Sequence, residues 1–292
     1  MANGPDNVTD FEWLDGERRW RVPFDQIGRG PPLLCLPAPS TISTRQEMRG
    51  LAERLSGRRR VVRVDWPGLG DADRAPIRYR PQLYSRFLAA FLERFPEPVE
   101  VIAAGHAASY VLDLAGGAPR RLARLVLLAP TWRGPLPTAM GAHPLVWRAL
   151  EALVCAPIVG SAIYALNASR FFIRWMMRRH VYAQPAHITD VVLEHRVQTA
   201  HRRNARFAAA AFVTGGLDSF SSRERFLEAA GACPVPLFVA FGDRTPPKSL
   251  AGMTALSALP NVRSARLPGS LAFYDEYPEE TAAAVAKFLG LE

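Results

Sequence analysis

Residues 98–115 constrain this chain more than any other stretch. They pass from an apolar run, Val99-Glu100-Val101-Ile102-Ala103-Ala104, through Gly105-His106-Ala107-Ala108-Ser109 into Tyr110-Val111-Leu112-Asp113-Leu114-Ala115. A short apolar run bounded by small residues predicts a buried strand, and the segment after it predicts a helix. Small residues at the junction permit a tight, strained turn that lifts one side chain above the end of a sheet. Here the lifted group is the methyl of Ala107.

The same alternation recurs along the chain. Residues 31–37, 60–65, 125–129, 234–242 and 262–267 are apolar runs ending in turn residues, as expected of strands buried in a parallel sheet. Residues 44–55 place Met48, Leu51, Ala52 and Leu55 on one helical face, and residues 84–95 and 281–289 also read as helices. Alternating strands and helices predict an α/β fold whose helices cover both faces of a mostly parallel sheet. Residues 135–216 differ in kind, being helical, arginine-rich and free of β-branched runs. They are expected to form a helical cap inserted over the carboxyl ends of the strands. The expected organisation is a core in two parts, 1–135 and 216–292, interrupted by a cap at 136–215. A chain of 292 residues, 49% hydrophobic, can bury one large core with such an insertion.

Four turns then carry a resemblance. Asp65 with Trp66-Pro67-Gly68-Leu69-Gly70-Asp71-Ala72-Asp73 is similar to D-x-P-G-x-G-x-S-D, and Gly105-His106-Ala107-Ala108-Ser109 to G-H-S-x-G. Phe241-Gly242-Asp243-Arg244-Thr245-Pro246 is similar to a G-x-x-D turn. Leu267-Pro268-Gly269-Ser270-Leu271, ahead of Glu276-Tyr277-Pro278-Glu279, is similar to P-G-x-H…E-x-P-E. In this order the motifs resemble those of the α/β-hydrolase superfamily over nearly the whole chain. The resemblance implies a mostly parallel α/β-hydrolase sheet with an inserted helical cap. It also implies a divergent member, because the positions of nucleophile, acid and base hold Ala107, Thr245 and Leu271. Hydrolysis in that family needs a hydroxyl, an imidazole and a carboxylate in contact. The family's histidine comes last in the chain, and no histidine follows His201. Loss at three positions fits natural divergence better than one engineered replacement, and ordinary serine esterase activity is disfavoured.

Two functions are therefore expected from different classes. One is a protein without the usual triad that binds an apolar or carbonyl-bearing small molecule under the cap, with any chemistry non-hydrolytic and arising from proximity and desolvation. The alternative is an esterase-like hydrolase or acyl-transfer enzyme with a relocated nucleophile such as Ser40. Candidate pocket residues are Ala38, Ser40, His106, Ala107, Ala108, Trp132, Thr245, Lys248 and Leu271. The loop Leu36-Pro37-Ala38-Pro39-Ser40-Thr41 falls where the family's oxyanion loop lies, and its prolines remove backbone donors. The amides of Ala38, Ser40, Thr41 and Ala108 remain as donors. His106 reads as a histidine packed behind the elbow, and Ser109 as a small residue facing the same packing. Asp65 and Asp73 are expected to bond nearby backbone amides. Lys248 is expected as a solvated lysine on a turn that Pro246 and Pro247 could hold near the site entrance. Asp275 and Glu276 are expected at the surface.

Charge is the remaining signal. The net +9 arises from 36 basic and 27 acidic residues, and the cap is locally basic, with nine arginines and three acids between Leu136 and Gly215. Such a local excess points to a surface. Ser169 is expected to cap a helix over residues 170–180, with Arg170, Arg174 and Arg178 on one face and Phe171, Phe172, Trp175 and Met176 beside them. The plain expectation is that this apolar face packs on the core. A basic amphipathic helix can also lie on an anionic membrane, so peripheral membrane contact through the cap is a second expectation. Residues 150–166 are apolar but broken by Glu151, Pro157 and Gly160, short of the roughly 20 residues a span requires. The opening Met1-Ala2-Asn3-Gly4-Pro5-Asp6 lacks a basic and apolar leader, giving a cytoplasmic expectation. Cys35, Cys155 and Cys233 read as buried thiols, and the six histidines form no zinc pattern. No cofactor, metal or nucleic-acid partner is expected.

Overall fold

A computed structural model describes residues 8–292; the opening Met1-to-Asp6 stretch discussed above lies outside the described residues. The apolar runs pair into one eight-stranded sheet: β1 (Thr9–Asp15), β2 (Arg18–Ile27), β3 (Pro32–Leu36), β4 (Arg60–Val64), β5 (Val99–Ala104), β6 (Leu122–Leu128), β7 (Leu237–Gly242) and β8 (Val262–Leu267). Their spatial order is β1-β2-β4-β3-β5-β6-β7-β8. Neighbours from β4 to β8 are parallel, whereas β2 lies antiparallel on both β1 and β4. Every residue of β5 and β7 is buried, which accounts for their uninterrupted apolar character. The hairpin of β1 and β2 is an addition to the sequence expectation.

The first helices are α1 (Arg49–Leu55), led in by a 3-10 turn at Arg45–Met48, then α2 (Pro81–Leu92) and α3 (Ala107–Gly117). Seven α-helices lie between β6 and β7, the first six being α4 (Pro135–Met140), α5 (Pro144–Cys155), α6 (Val159–Asn167), α7 (Arg170–Met176), α8 (Asp190–His201) and α9 (Ala205–Thr214). The chain finishes with α10 (Arg223–Gly231), α11 (Pro247–Ser257), α12 (Phe273–Glu276) and α13 (Pro278–Leu289).

Ser169 caps α7 as its residue type predicts, its hydroxyl accepting the N–H of Phe172 at 3.3 Å. The expected inward face of this helix is corrected. Ile173 and Met177 are the buried residues, while Phe171 is 82% exposed and Trp175 49%. The last turn, Met177–Val181, is a π-helix in which Met177 is buried and Arg178, Arg179 and His180 are exposed.

Buried charges on the core side are paired, as their desolvation requires. Asp25 on β2 accepts from Arg63 on β4 at 2.6 Å and from Arg45 at 2.8 Å. Arg45 also reaches Asp65 and Asp71, both at 2.7 Å. Burial pushes the Asp65 carboxyl up to about 6 against the pull of Arg45. Asp65 accepts the amides of Arg45 and Asp71, and Asp73 that of Arg21, in line with expectation. Cys35 is buried and burial pushes its thiol up to about 12, whereas Cys155 and Cys233 are only half-buried.

Candidate functional site

The turn between β5 and α3 is built on Gly105, whose φ of +53° is strained for other residues. A Cβ there would lie 2.9 Å from that of Ala38, so the β3 loop and the elbow touch. The Gly105 amide donates to the Leu128 carbonyl at 2.8 Å, and Thr131 donates to the Gly105 carbonyl at 3.1 Å. Ala107 opens α3 at the head of this turn, and its exposure is 0%. No water-sized space therefore touches its methyl. Ser109 faces the packing, donating to the Thr131 carbonyl at 3.1 Å.

His106 lies behind the elbow. Its Nε2 meets the Leu217 carbonyl at 3.0 Å, which requires the proton on that nitrogen, and Tyr110 donates to the same oxygen at 2.6 Å. Burial lowers its pKa to about 4, so the ring is neutral near pH 7. Asp218 Oδ1 stands 3.5 Å from the same nitrogen and accepts the Gly134 amide at 2.9 Å. Burial pushes the Asp218 carboxyl up to about 7, against the Gly134 bond and the charge of Arg133. No sequence signal marked Asp218.

Two of the amides expected as oxyanion donors are already engaged. Ser40 donates to the Ala38 carbonyl at 2.8 Å and Ala108 to the Gly105 carbonyl at 3.3 Å. The Ser40 hydroxyl bonds that of Ser43 at 2.6 Å, and Ser43 in turn bonds the carboxylate of Glu47. Trp66 fixes the base of this loop by donating to the Pro37 carbonyl at 2.7 Å.

The turns after β7 and β8 meet. Arg244 donates to the Gly269 carbonyl at 2.9 Å, and a Cβ on Gly242 would fall 2.2 Å from that oxygen. Thr245 is buried, its hydroxyl without a partner among the described residues, and Leu271 is half-buried. Trp132 is half-buried with the Arg133 guanidinium 5.1 Å from its ring centre. Lys248 is exposed at the start of α11, and its ammonium donates to the Ala139 carbonyl on α4, linking core to cap.

The cap closes this region through a strap after the π-helical turn. Ser270 donates to the His180 carbonyl and Ala272 to the Val181 carbonyl, each at 3.0 Å. Glu276 accepts the amides of Ala183 at 3.0 Å and Gln184 at 2.5 Å. Asp275 accepts the Tyr182 hydroxyl at 2.6 Å and Arg196 at 3.2 Å. The surface placement expected for this acidic pair is thus corrected: both carboxylates clasp the cap, and Glu276 is buried. Arg196 also pairs with Glu47 and donates to the Ile42 carbonyl, while Tyr274 donates to Glu47 at 3.1 Å. Burial raises the Glu47 pKa, opposed by Arg196. Around these ions Ile42 and Ala272 join Ile173, Met177, Ile188 and Leu193 in one apolar cluster.

Comparison with known proteins agrees with this geometry. The model of a family described as "Alpha/beta hydrolase family" matches residues 33–284. Comparison with curated protein sequences gives no match. Among solved structures, a serine hydrolase involved in carbazole degradation, the CarC enzyme, is 16% identical with a TM-score of 0.74, over 98% of this chain and 100% of that one. A thermophilic esterase from Thermogutta terrifontis is 17% identical with a TM-score of 0.74, over 97% and 98%. The enol-lactonase from Burkholderia xenovorans LB400 is 16% identical with a TM-score of 0.69, over 93% and 97%. At these identities the likeness is one of fold.

Proposed function

From the premise that the chain belongs to the alpha/beta hydrolase family, we propose that it works without the family's serine, histidine and acid route. In this reading it binds an apolar or carbonyl-bearing small molecule beneath its cap. The observation that carries the proposal is the enclosed methyl of Ala107 at the head of the elbow, with Thr245 and Leu271 on the two neighbouring turns. A methyl cannot attack a carbonyl, and a leucine cannot take a proton. The ligand is admitted when the strap at residues 180–184 lifts from Ser270, Ala272 and Glu276. Lifting the strap would uncover the packed cluster of Ile42, Ile173, Met177 and Leu193, which favours an apolar occupant.

A second reading keeps hydrolysis or acyl transfer. It is favoured by the Ser40-Ser43-Glu47 chain, which offers a hydroxyl and a path for its proton to a carboxylate whose pKa is raised. The hydrolase, esterase and lactonase titles of the structural neighbours lend it weight. A fluorophosphonate probe and a panel of p-nitrophenyl esters separate the two. The first reading predicts neither labelling nor turnover, with native mass spectrometry showing a copurifying apolar molecule. Labelling that vanishes in Ser40→Ala replaces it with the second.

A further inference from the structure

The cap's outer surface departs from that of a water-facing lid. Eleven of the 13 exposed large hydrophobic residues among those described fall between Met140 and Val191, including Leu145 at 78%, Ile158 at 85%, Leu166 at 74% and Phe171 at 82%. A concentration of this kind marks an interaction surface. Its chemistry is specified by charge. Residues 135–189 hold five arginines and one acid, and that acid, Glu151, is buried and held by Arg80 at 2.8 Å. Arg170 is neutralised by Asp190 and Glu194. Arg174, Arg178 and Arg179 have no ion pair among the described residues, and together with Phe171 and Trp175 they frame one shallow hollow on the surface. Guanidinium groups beside exposed aromatics suit the phosphate level of a bilayer, where charge and ring both find partners.

The helices beneath this surface are short and sharply bent at their junction. No single helix is long and apolar enough to cross a membrane, and α5 and α6 meet at 101°. At 1.5 Å per residue they extend about 18 and 14 Å, against a hydrocarbon core of about 30 Å. Their junction projects Ile158, a β-branched residue at φ +58°. That strained backbone holds an apolar side chain outward where burial would be the ordinary outcome. A second copy of the chain is a poor occupant, since it would bring the same unpaired arginines face to face.

We propose that the outer face of the cap docks on a bilayer containing anionic phospholipid, with Ile158, Phe171 and Trp175 entering the interface and Arg174, Arg178 and Arg179 holding lipid phosphates. This does not depend on the chemistry of the elbow, so either reading of the function can fail without touching it.

The test is co-sedimentation of the full chain with phosphatidylcholine vesicles and with an equimolar phosphatidylcholine–phosphatidylglycerol mixture. Binding to the mixture at low salt, weakened by added salt, is expected. Replacing Arg174, Arg178 and Arg179 by alanine should cost about fivefold each, roughly a hundredfold together. Ile158→Asp with Trp175→Ser should abolish sedimentation, and Arg170→Ala should leave it unchanged. All these side chains are exposed, and an unaltered melting curve verifies folding. Three results overturn the proposal: no binding to the mixture, equal binding by the variants, or a dimer formed through this face that excludes vesicles.

Discussion

The two faces of the cap are built from opposite materials. Toward the core it is fastened by polar contacts: Arg196 to Glu47 and Asp275, Arg202 to Asp71 at 2.6 Å, and Arg74 to the Thr199 carbonyl at 2.9 Å. Away from the core it exposes Leu145, Ile158, Leu166 and Phe171, the last beside Arg174, Arg178 and Arg179, which have no ion pair among the described residues. A helical layer in water ordinarily reverses this, its apolar stripe inward and its charges outward. Inward, Ile173, Met177 and Leu193 pack in one small cluster, and Ala208 and Ala211 of α9 join the main core with Phe207 and Phe212 against it, while Leu145, Ile158, Leu166 and Phe171 stay exposed to a partner. The inner face sets position through directional bonds, and the outer face retains the hydrophobic driving force.

Each side of that contrast can be broken separately. The largest effect is expected from Arg196→Ala, which leaves Glu47 buried without its counter-charge and should cost about 3–5 kcal/mol in urea denaturation. A loss below 1 kcal/mol would mean that the cap is not held by its ions. Next comes Asp218, which accepts the Gly134 amide where the cap begins and thereby joins its two ends. Its folded pKa of about 7 stands above the ordinary 3.8. The stability it contributes is fully present below about pH 4 and is lost as pH rises to 7, by about 4 kcal/mol at most. Asp218→Asn, which keeps an acceptor for Gly134, should flatten the stability profile between pH 4 and 8. An unchanged profile contradicts the assignment.

Glu276→Ala should cost about 1–3 kcal/mol by orphaning the Ala183 and Gln184 amides. Amide exchange at residues 177–188 should rise before that of the sheet; uniform acceleration would show that the strap has no independent clasp. The smallest effects belong to the outer face. Ile158→Gly should gain about 1 kcal/mol by relieving the positive φ, and Phe171→Ser should stay within about 0.5 kcal/mol. Losses of several kcal/mol at either position would mean that the face is packed after all.

The alternation of strands and helices was legible because strands buried on both faces must read as continuous apolar runs. The turns holding Ala107, Thr245 and Leu271 were legible because backbone geometry at strand ends demands small residues in a fixed order. The β1–β2 hairpin was overlooked, though Asp15-Gly16, with Gly16 at φ +60°, is a hairpin turn signal between Trp13 and Trp20. The inward face of α7 was not legible, because apolar residues surround that helix and only tertiary contact selects Ile173 and Met177. Arg196 lies 149 residues from Glu47 and 79 from Asp275, a distance across which local pattern carries no pairing information. Glu276 stood inside a recognised motif, yet its burial depends on a strap that no local signal places beside it.

The most direct test of this inside-out cap is quenching of Trp175 by bromolipids, taken as the difference between the native chain and Trp175→Phe on anionic vesicles. Quenching by bromines placed just below the headgroups, absent on vesicles without anionic lipid, is the predicted result. A difference signal that stays unquenched while the protein is bound to those vesicles would contradict the account.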